Sequence, residues 1–210
     1  MREKKCKADA CSTTFVPKRP MQVVCSPKCA IEYGEQRRRK KLERQRRQET
    51  RAAREGLKGY SDLAKEAQTA FNAYIRFRDR DQPCISCGEK RPPKFTGGAW
   101  DCGHFLTIGA HPELRFCELN AHKQCKSCNS GVQRRGRTVR AVHDPERHAT
   151  IHASYRANLI GRVGLRSVEW LEGPHEAANW TLQDLRNIRD ECRRKLRDLK
   201  RTSPDARAGA

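Results

Sequence analysis

The chain holds no apolar run approaching the ~20 residues that a membrane-spanning helix requires. Its start, Met1-Arg2-Glu3-Lys4-Lys5-Cys6, lacks the apolar region of a secretory signal. These absences argue against a membrane partner and predict a protein of the cytoplasm. Apolar residues are also scarce: they make up 36% of the 210 residues, against roughly 45–50% in an average globular chain. A single large core spanning the whole sequence is therefore not expected. Negative charge is the third shortage, with 25 Asp and Glu facing 45 Lys and Arg for a formal net charge of +20. An excess of that size predicts a polyanionic partner, nucleic acid first, because neutralising phosphate and releasing its counterions is what such charge provides.

Cysteine, by contrast, is plentiful. In a reducing compartment, closely spaced cysteines are metal ligands or redox motifs more often than disulfides. Eight of the eleven cysteines fall into close pairs. Cys6-x4-Cys11 with Cys25-x3-Cys29, and Cys84-x2-Cys87 with Cys125-x2-Cys128, have the form of two tetrahedral Zn2+ sites. Such staples offset the shortage of core. Cys102, Cys117 and Cys192 are left over and read as small buried residues without assigned chemistry. Around the first tetrad, Phe15, Val16 and Pro17 followed by Val23-Val24 read as a small hairpin leading into a knuckle. Cys25-Ser26-Pro27-Lys28-Cys29-Ala30 looks like the second half of a treble-clef finger whose last cysteine opens a helix. A finger this small, residues 1–33, does not stand without its metal.

Residues 34–59 form a basic arm. From Arg37 to Arg54 there are ten Lys or Arg against Glu43 and Glu49, with no Pro or Gly, so a long helix, polar nearly all round, is predicted. Such a helix is held by a partner or is not stably formed. Arg37, Arg38, Arg39, Lys40, Lys41, Arg44, Arg46 and Arg47 are the expected phosphate contacts, with a solvated spacer as the bland alternative. The main domain spans 60–165. It opens on a helix from Ser61, a good N-cap residue, to about Arg80, with Leu63, Ala67, Ala70, Phe71 and Tyr74 on one face. Pro83 then delivers the chain to Cys84.

Between the two halves of the second tetrad, Ala99 to Phe105 alternates like a strand and Leu114 to Cys117 reads as its return. Asn120 falls in the connection that follows, and Cys125 to Asn129 leads into a short helix. This ββα order converges His104, Asn120, His122 and Asn129 on one cleft. Residues 166–210 are helical scaffold. Thr181-x2-Asp184 has the form of a capping box, and Leu182, Leu185, Ile188, Cys192, Leu196 and Leu199 follow at spacings of three and four. That stripe packs on the chain's own core or forms the seam of a homodimer.

The pattern Gly103-His104, then Asn120-x4-Cys125-x2-Cys128, framed by Cys84-x2-Cys87, resembles the HNH or ββα-metal endonucleases. The ending Cys128-Asn129 is most similar to the phage junction-resolving endonuclease VII. The wider arrangement resembles the lambdoid phage NinG family, also called Rap, a recombination endonuclease acting on branched DNA. The residues that carry this likeness include Phe71-Asn72-Ala73-Tyr74-Ile75-Arg76, Cys84-Ile85-Ser86-Cys87-Gly88 and Trp100-Asp101-x-Gly103-His104-Phe105. They continue through His122-Lys123-Gln124-Cys125 and Tyr155-Arg156-x2-Leu159-Ile160. The resemblance implies an α+β fold with a zinc-stapled, HNH-like nuclease core flanked by an N-terminal zinc finger and long helices. It further implies branched DNA as substrate, recombination proteins of phage or host as partners, and the cytoplasm of a bacterial host as location. The chain departs from the family pattern after Asn129, where a basic stretch from Arg134 to His152 replaces a short link. It reads as an insertion in a DNA-facing loop, and metal binding by His143, His148 and His152 is the weaker reading.

Phosphodiester hydrolysis needs a base that works near neutral pH, and imidazole has the suitable unperturbed pKa. The resemblance puts His104 in that position. The phosphate and leaving oxygen need a hard divalent cation, and Asp101 and Asn129 are the expected ligands of one Mg2+ or Mn2+. On a regular strand, however, residues 101 and 104 point to opposite faces, so a bulge at Gly103 is required. Without it His122 becomes the second ligand, and the preference moves toward Mn2+, Ni2+ or Zn2+. The resemblance assigns Asn120 to holding the loop and orienting His104. Arg115, Lys123 and Arg135 are candidate phosphate contacts. Two readings stay open beside the structure-specific nuclease: a zinc-bound DNA-binding recombination accessory without catalysis, and a sequence-reading HNH nuclease.

Overall fold

A computed structural model of the chain describes residues 2–135, 138–141 and 145–203, with backbone only at 132–135 and 138–141. His143 lies outside the described residues, as does the side chain of Arg135. The chain divides into two compact units, Met1–Lys58 and Gly59–Ala210. In the first, β1 (Lys4–Lys5) and β2 (Thr14–Phe15) form a short antiparallel ribbon. Helix α1 (Pro27–Gly56) follows; Ser26 caps it by accepting from the Cys29 N–H at 3.2 Å, and Pro27 opens its first turn. Both are favourable at these positions, since Ser satisfies an orphan N–H and Pro has none to lose. Knuckle and basic arm are thus one continuous helix of 30 residues, in which only Cys29 and Gln36 are buried. The small core of this unit is Cys6, Ala8 and Cys29, with Cys11, Phe15, Val24 and Cys25 against it.

The second unit begins with α2 (Tyr60–Arg78), whose buried face is Leu63, Ala64, Ala67, Ala70, Phe71, Tyr74 and Ile75. Then come β3 (Trp100–His104), β4 (Ala121–Cys125) and the single-turn helix α3 (Lys126–Asn129). A second antiparallel pair, β5 (Val132–Arg135) and β6 (Thr138–Ala141), precedes α4 (Pro145–Val163), α5 (Leu165–Glu172) and α6 (Leu182–Thr202). This is a helix-rich α+β arrangement. No described helix is long and apolar enough to cross a membrane.

The return strand is β4, not Leu114–Cys117. Residues 112–114 form a 3-10 turn and 118–120 another, and the partner of β3 is Ala121–Cys125 in an unbroken antiparallel register from Trp100↔Cys125 to His104↔Ala121. Gly103 therefore makes no bulge. The sequence His122-Lys123-Gln124 has no apolar alternation, yet all five residues of β4 are buried, because each polar side chain has a partner inside. Tertiary context overrides strand propensity here.

Two cores hold this unit. Phe71, Tyr74 and Ile75 of α2 pack with Cys102, Ala121 and Cys192, joined by Ile188, Leu196 and Leu199 of α6, and Leu63, Ala64 and Ala67 pack with Leu185. From Leu185 to Leu199 the apolar stripe of α6 is thus occupied within the chain, and only Leu182 of it is exposed. The Thr181–Asp184 capping box that starts α6 is formed in both directions. Across the same helices Arg189 Nη1 meets Glu66 Oε2 at 2.9 Å. The other core joins Ile85, Phe105 and Leu114 to Tyr155, Leu159, Val168 and Leu171 of α4 and α5. Each fully buried side chain such as Phe71 or Leu159 contributes about 1.5–3 kcal/mol.

Candidate active site

The cysteines assemble as two tetrads. In each, the four sulfurs lie within 4.8 Å of one another. Cys11 Sγ and Cys25 Sγ are 3.6 Å apart, as are Cys25 and Cys29, and Cys87 Sγ lies 3.8 Å from Cys125 Sγ. A tetrahedron with zinc–sulfur bonds of about 2.3 Å has edges of about 3.8 Å, so both clusters can hold Zn2+. The second tetrad joins the loop after α2 to the end of β4, and the Cys125 N–H donates to Cys84 Sγ at 3.3 Å. Of the leftover cysteines, Cys102 and Cys192 are buried and Cys117 is half-buried.

The stapled hairpin places the remaining candidates. His104, the last residue of β3, stacks on Phe71 with ring centroids 6.0 Å apart, and its Nε2 lies 3.0 Å from the Arg115 carbonyl. Burial pushes its pKa down. With the register unbroken, Cys102 and His104 share the α2 side of the hairpin, and Asp101 points the other way. Asp101 meets α3 instead: Asn129 Nδ2 donates to Asp101 Oδ2 at 3.1 Å, and Lys126 Nζ lies 3.4 Å from Asp101 Oδ1. That hydrogen bond turns Asn129 Oδ1 outward. A carboxylate and an amide oxygen on adjoining elements form a hard donor set suited to a divalent cation, and Lys126 is the charge that now balances the carboxylate.

Asn120 is fully buried and staples the loop before it. Its Nδ2 donates to the carbonyls of Leu106 (2.9 Å) and Leu114 (3.3 Å), and its Oδ1 accepts from the Leu106 N–H (2.8 Å). The loop so held carries the Arg115 carbonyl to His104.

His122 does not join Asp101 and Asn129. Its Nδ1 lies 3.1 Å from Arg78 Nη2 and 3.3 Å from Asp79 Oδ2, and its Nε2 lies 3.3 Å from the Leu119 carbonyl. With both ring nitrogens engaged and the residue 5% exposed, it belongs to a buried network at the end of α2. Asp79 anchors that network, accepting from Arg78 Nε (2.7 Å) and the Lys123 N–H (3.0 Å), with Arg162 Nη1 at 3.8 Å. Burial alone would raise its carboxyl pKa. Hydrogen bonds from His122 and Arg78, with the charge of Arg78, hold it instead well below the carboxylate range.

His104 and Asn129 do share a cavity of about 290 Å3 along the hairpin, whose far wall is α4, with His148, Ile151, His152 and Tyr155. Tyr155 Oη donates to the Gly103 carbonyl at 3.1 Å, and Asn158 Nδ2 to the Ile85 carbonyl at 2.7 Å, fixing α4 to the stapled loop. His148 and His152 are functional candidates that spacing alone underweighted. The signal was available in their four-residue separation, which on a helix means one face.

The family model described as "Bacteriophage Lambda NinG protein" matches residues 1–202. The chain belongs to the NinG family. Its relatives include the protein ninG of Escherichia phage lambda, 36% identical over 97% of this chain and 96% of that one, and that of Salmonella phage P22, 36% identical over 97% of each. The protein ninG of Escherichia phage 933W is 40% identical over 71% of this chain and 64% of its own length. No solved structure matches this NinG chain at a comparable level of significance.

The basic candidates of this NinG chain separate into two groups. Arg37, Arg38, Arg39, Lys40, Lys41, Arg44, Arg46 and Arg47 are all exposed along α1, where they can meet phosphate. Arg115 and Lys123 are instead engaged inside the second unit. Arg115 Nε donates to Gln68 Oε1 at 2.7 Å. Lys123 is 4% exposed, with Nζ 2.8 Å from the Arg80 carbonyl and 4.1 Å above the Trp100 ring. Lys123 is thus enclosed by the fold, whereas Arg115 is half-buried, its guanidinium 5.4 Å from the centre of the Phe116 ring.

Proposed function

We propose that this NinG-family protein is a metal-dependent endonuclease for branched DNA, with β3, β4 and α3 as an HNH-type nuclease unit and His104 as general base. The observation that carries the reading is the shared cavity: His104 and Asn129 border it, and Asp101 is bonded to Asn129. The chemistry follows from the hydrogen bonds. Because Nε2 of His104 faces a carbonyl, that nitrogen carries the proton and Nδ1 is left to accept one. Burial keeps the ring neutral at pH 7, the state a base requires. Nδ1 takes a proton from water, whose oxygen attacks phosphorus as the bond to the leaving oxygen breaks. Asn120 positions the carbonyl that orients the imidazole. A divalent cation held through Asn129 Oδ1, which Asp101 on the opposite face of β3 orients by accepting from Asn129 Nδ2, would supply Lewis-acid stabilisation of the phosphate and leaving oxygen.

The exposed cations of α1 support a nucleic-acid substrate, and the family resemblance supports branched DNA in particular. Symmetric resolution of a four-way junction needs two sites related by a two-fold axis; with the α6 stripe packed internally, a homodimer seam would lie elsewhere. The test is cleavage of a labelled four-way junction and its linear duplex in Mg2+, Mn2+ or chelator, by wild type and His104→Ala. Wild type is expected to cut the junction only with added metal, and the variant to bind without cutting. Binding by both proteins with no cleavage under any metal would replace this reading with the accessory one. Equal affinity and cutting on linear duplex at matched salt would favour a sequence-reading nuclease.

A further inference from the structure

His148 and His152 have no role in the chemistry above, yet both border the cavity that holds His104 and Asn129. They lie four residues apart on α4, on one face of the helix. Paired imidazoles at that spacing are how a helix chelates a single transition-metal ion. The His152 ring lies against Phe105, centroids 4.8 Å apart and planes at 17°, which fixes the ring plane, and the residue is exposed where it borders the cavity. The start of α4 is tied to α3, the element bearing Asn129, by Arg147 Nη2 donating to the Ser127 carbonyl at 3.1 Å. Ile151, between the two histidines, packs against Cys84, Cys125 and Cys128. Asn129 lines the same cavity and has an amide oxygen to offer, because its nitrogen is the atom bonded to Asp101.

We propose that His148 and His152, together with Asn129 Oδ1, hold a divalent transition-metal ion in this cavity. Two nitrogens and one oxygen suit Mn2+, Co2+, Ni2+ or Zn2+ over Mg2+, and α4 takes the part of nitrogen donor that His122, locked against Asp79, does not. The inference rests on the endonuclease reading only for the ion's role in cleavage.

The test titrates Mn2+ into the full-length protein with both tetrads loaded with zinc, counting bound manganese by electron paramagnetic resonance and zinc by elemental analysis. Manganese is the weakest of the first-row divalent ions for a thiolate site and does not displace zinc. One Mn2+ per chain is expected. His148→Gln/His152→Gln, which preserves side-chain size at two exposed positions, should weaken it at least ~10-fold with zinc content unchanged. Asn129→Ala should weaken it too. No bound manganese in wild type, or equal affinity in the double variant, overturns the proposal. Junction cleavage measured on the same samples separates the two readings. Unchanged manganese binding with intact cleavage removes this site and keeps the nuclease. Histidine-dependent binding without cleavage by any protein keeps the site and removes the nuclease.

Discussion

Gly103→Ala tests the register on which every statement about the hairpin depends. A Cβ built at Gly103 would lie 2.0 Å from Gln124 Oε1, 2.8 Å from its Cδ and 2.9 Å from its Cβ. The amide end can swing away, but the Gln124 Cβ moves only if β4 moves. Overpacking of this kind costs about 1–3 kcal/mol. Swinging the amide away also breaks Gln124 Nε2 to Ser86 Oγ, a 2.8 Å bond between residues 4% and 3% exposed, and leaving such groups unpaired costs about 1–3 kcal/mol more. We expect a total of about 3 kcal/mol, or a fall in melting temperature of roughly 6–12 °C for a unit of this size, read by thermal unfolding of the zinc-saturated protein. In a Gln124→Gly background the obstacle is gone, its Cβ included, and the same substitution should cost less than about 1 kcal/mol, a coupling of roughly 2 kcal/mol. If Gly103→Ala alone unfolds within about 0.5 kcal/mol of wild type, Gln124 does not cover Gly103. The assignment of Asp101 and His104 to opposite faces then falls with it.

Asp79→Asn leaves Arg78 and Arg162 beside an uncharged group and should cost about 3 kcal/mol, the lower end for breaking a buried pair because both arginines are partly solvated. Since the Asp79 carboxyl is held below its unfolded value, its contribution is complete above about pH 4 and is lost as pH falls through the folded pKa. Acid titration should therefore be shallower for the variant, and superimposable acid transitions would remove Asp79 from the stability of the network. Deleting residues 1–58 should weaken DNA binding and flatten its dependence on salt, by about 0.9 in log–log slope for each phosphate that α1 neutralises. Identical slopes for the two proteins would show that α1 touches no phosphate.

Cysteine spacing made both tetrads legible, since four sulfurs must meet one ion whatever lies between them. Capping chemistry was plain at Thr181-x2-Asp184, which starts α6; Ser61, in contrast, lies inside α2, whose N-cap is Gly59 without a side-chain bond, and α1 begins at Pro27, two residues before Cys29. β4 was not legible. Leu114-Arg115-Phe116 has the apolar look of a strand, but its Leu is used in a 3-10 turn under α4. The real strand is polar because Asp79, the Arg80 carbonyl and Ser86 wait for the side chains of His122, Lys123 and Gln124, partners that lie 38 to 43 residues away. The same limit governs the site. That Asp101 and His104 diverge follows from strand alternation alone, whereas the pairing of His122 with Asp79, and of α4 with Asn129, depends on contacts between distant segments.

The packing of α2 on α6 has a consequence for synthesis. Glu66 and Arg189, which meet across that interface, are 123 residues apart in the chain. At roughly 5–20 residues per second, α6 emerges about 6–25 s after α2. During that interval the face bearing Phe71 and Ile75 lacks Cys192, Leu196 and Leu199 of α6, and by its end every cysteine of both tetrads has been made. The ligands of both tetrads are therefore available before the core closes, and the first unit, with all four within its first 29 residues, can take up a metal ion before the second has been made.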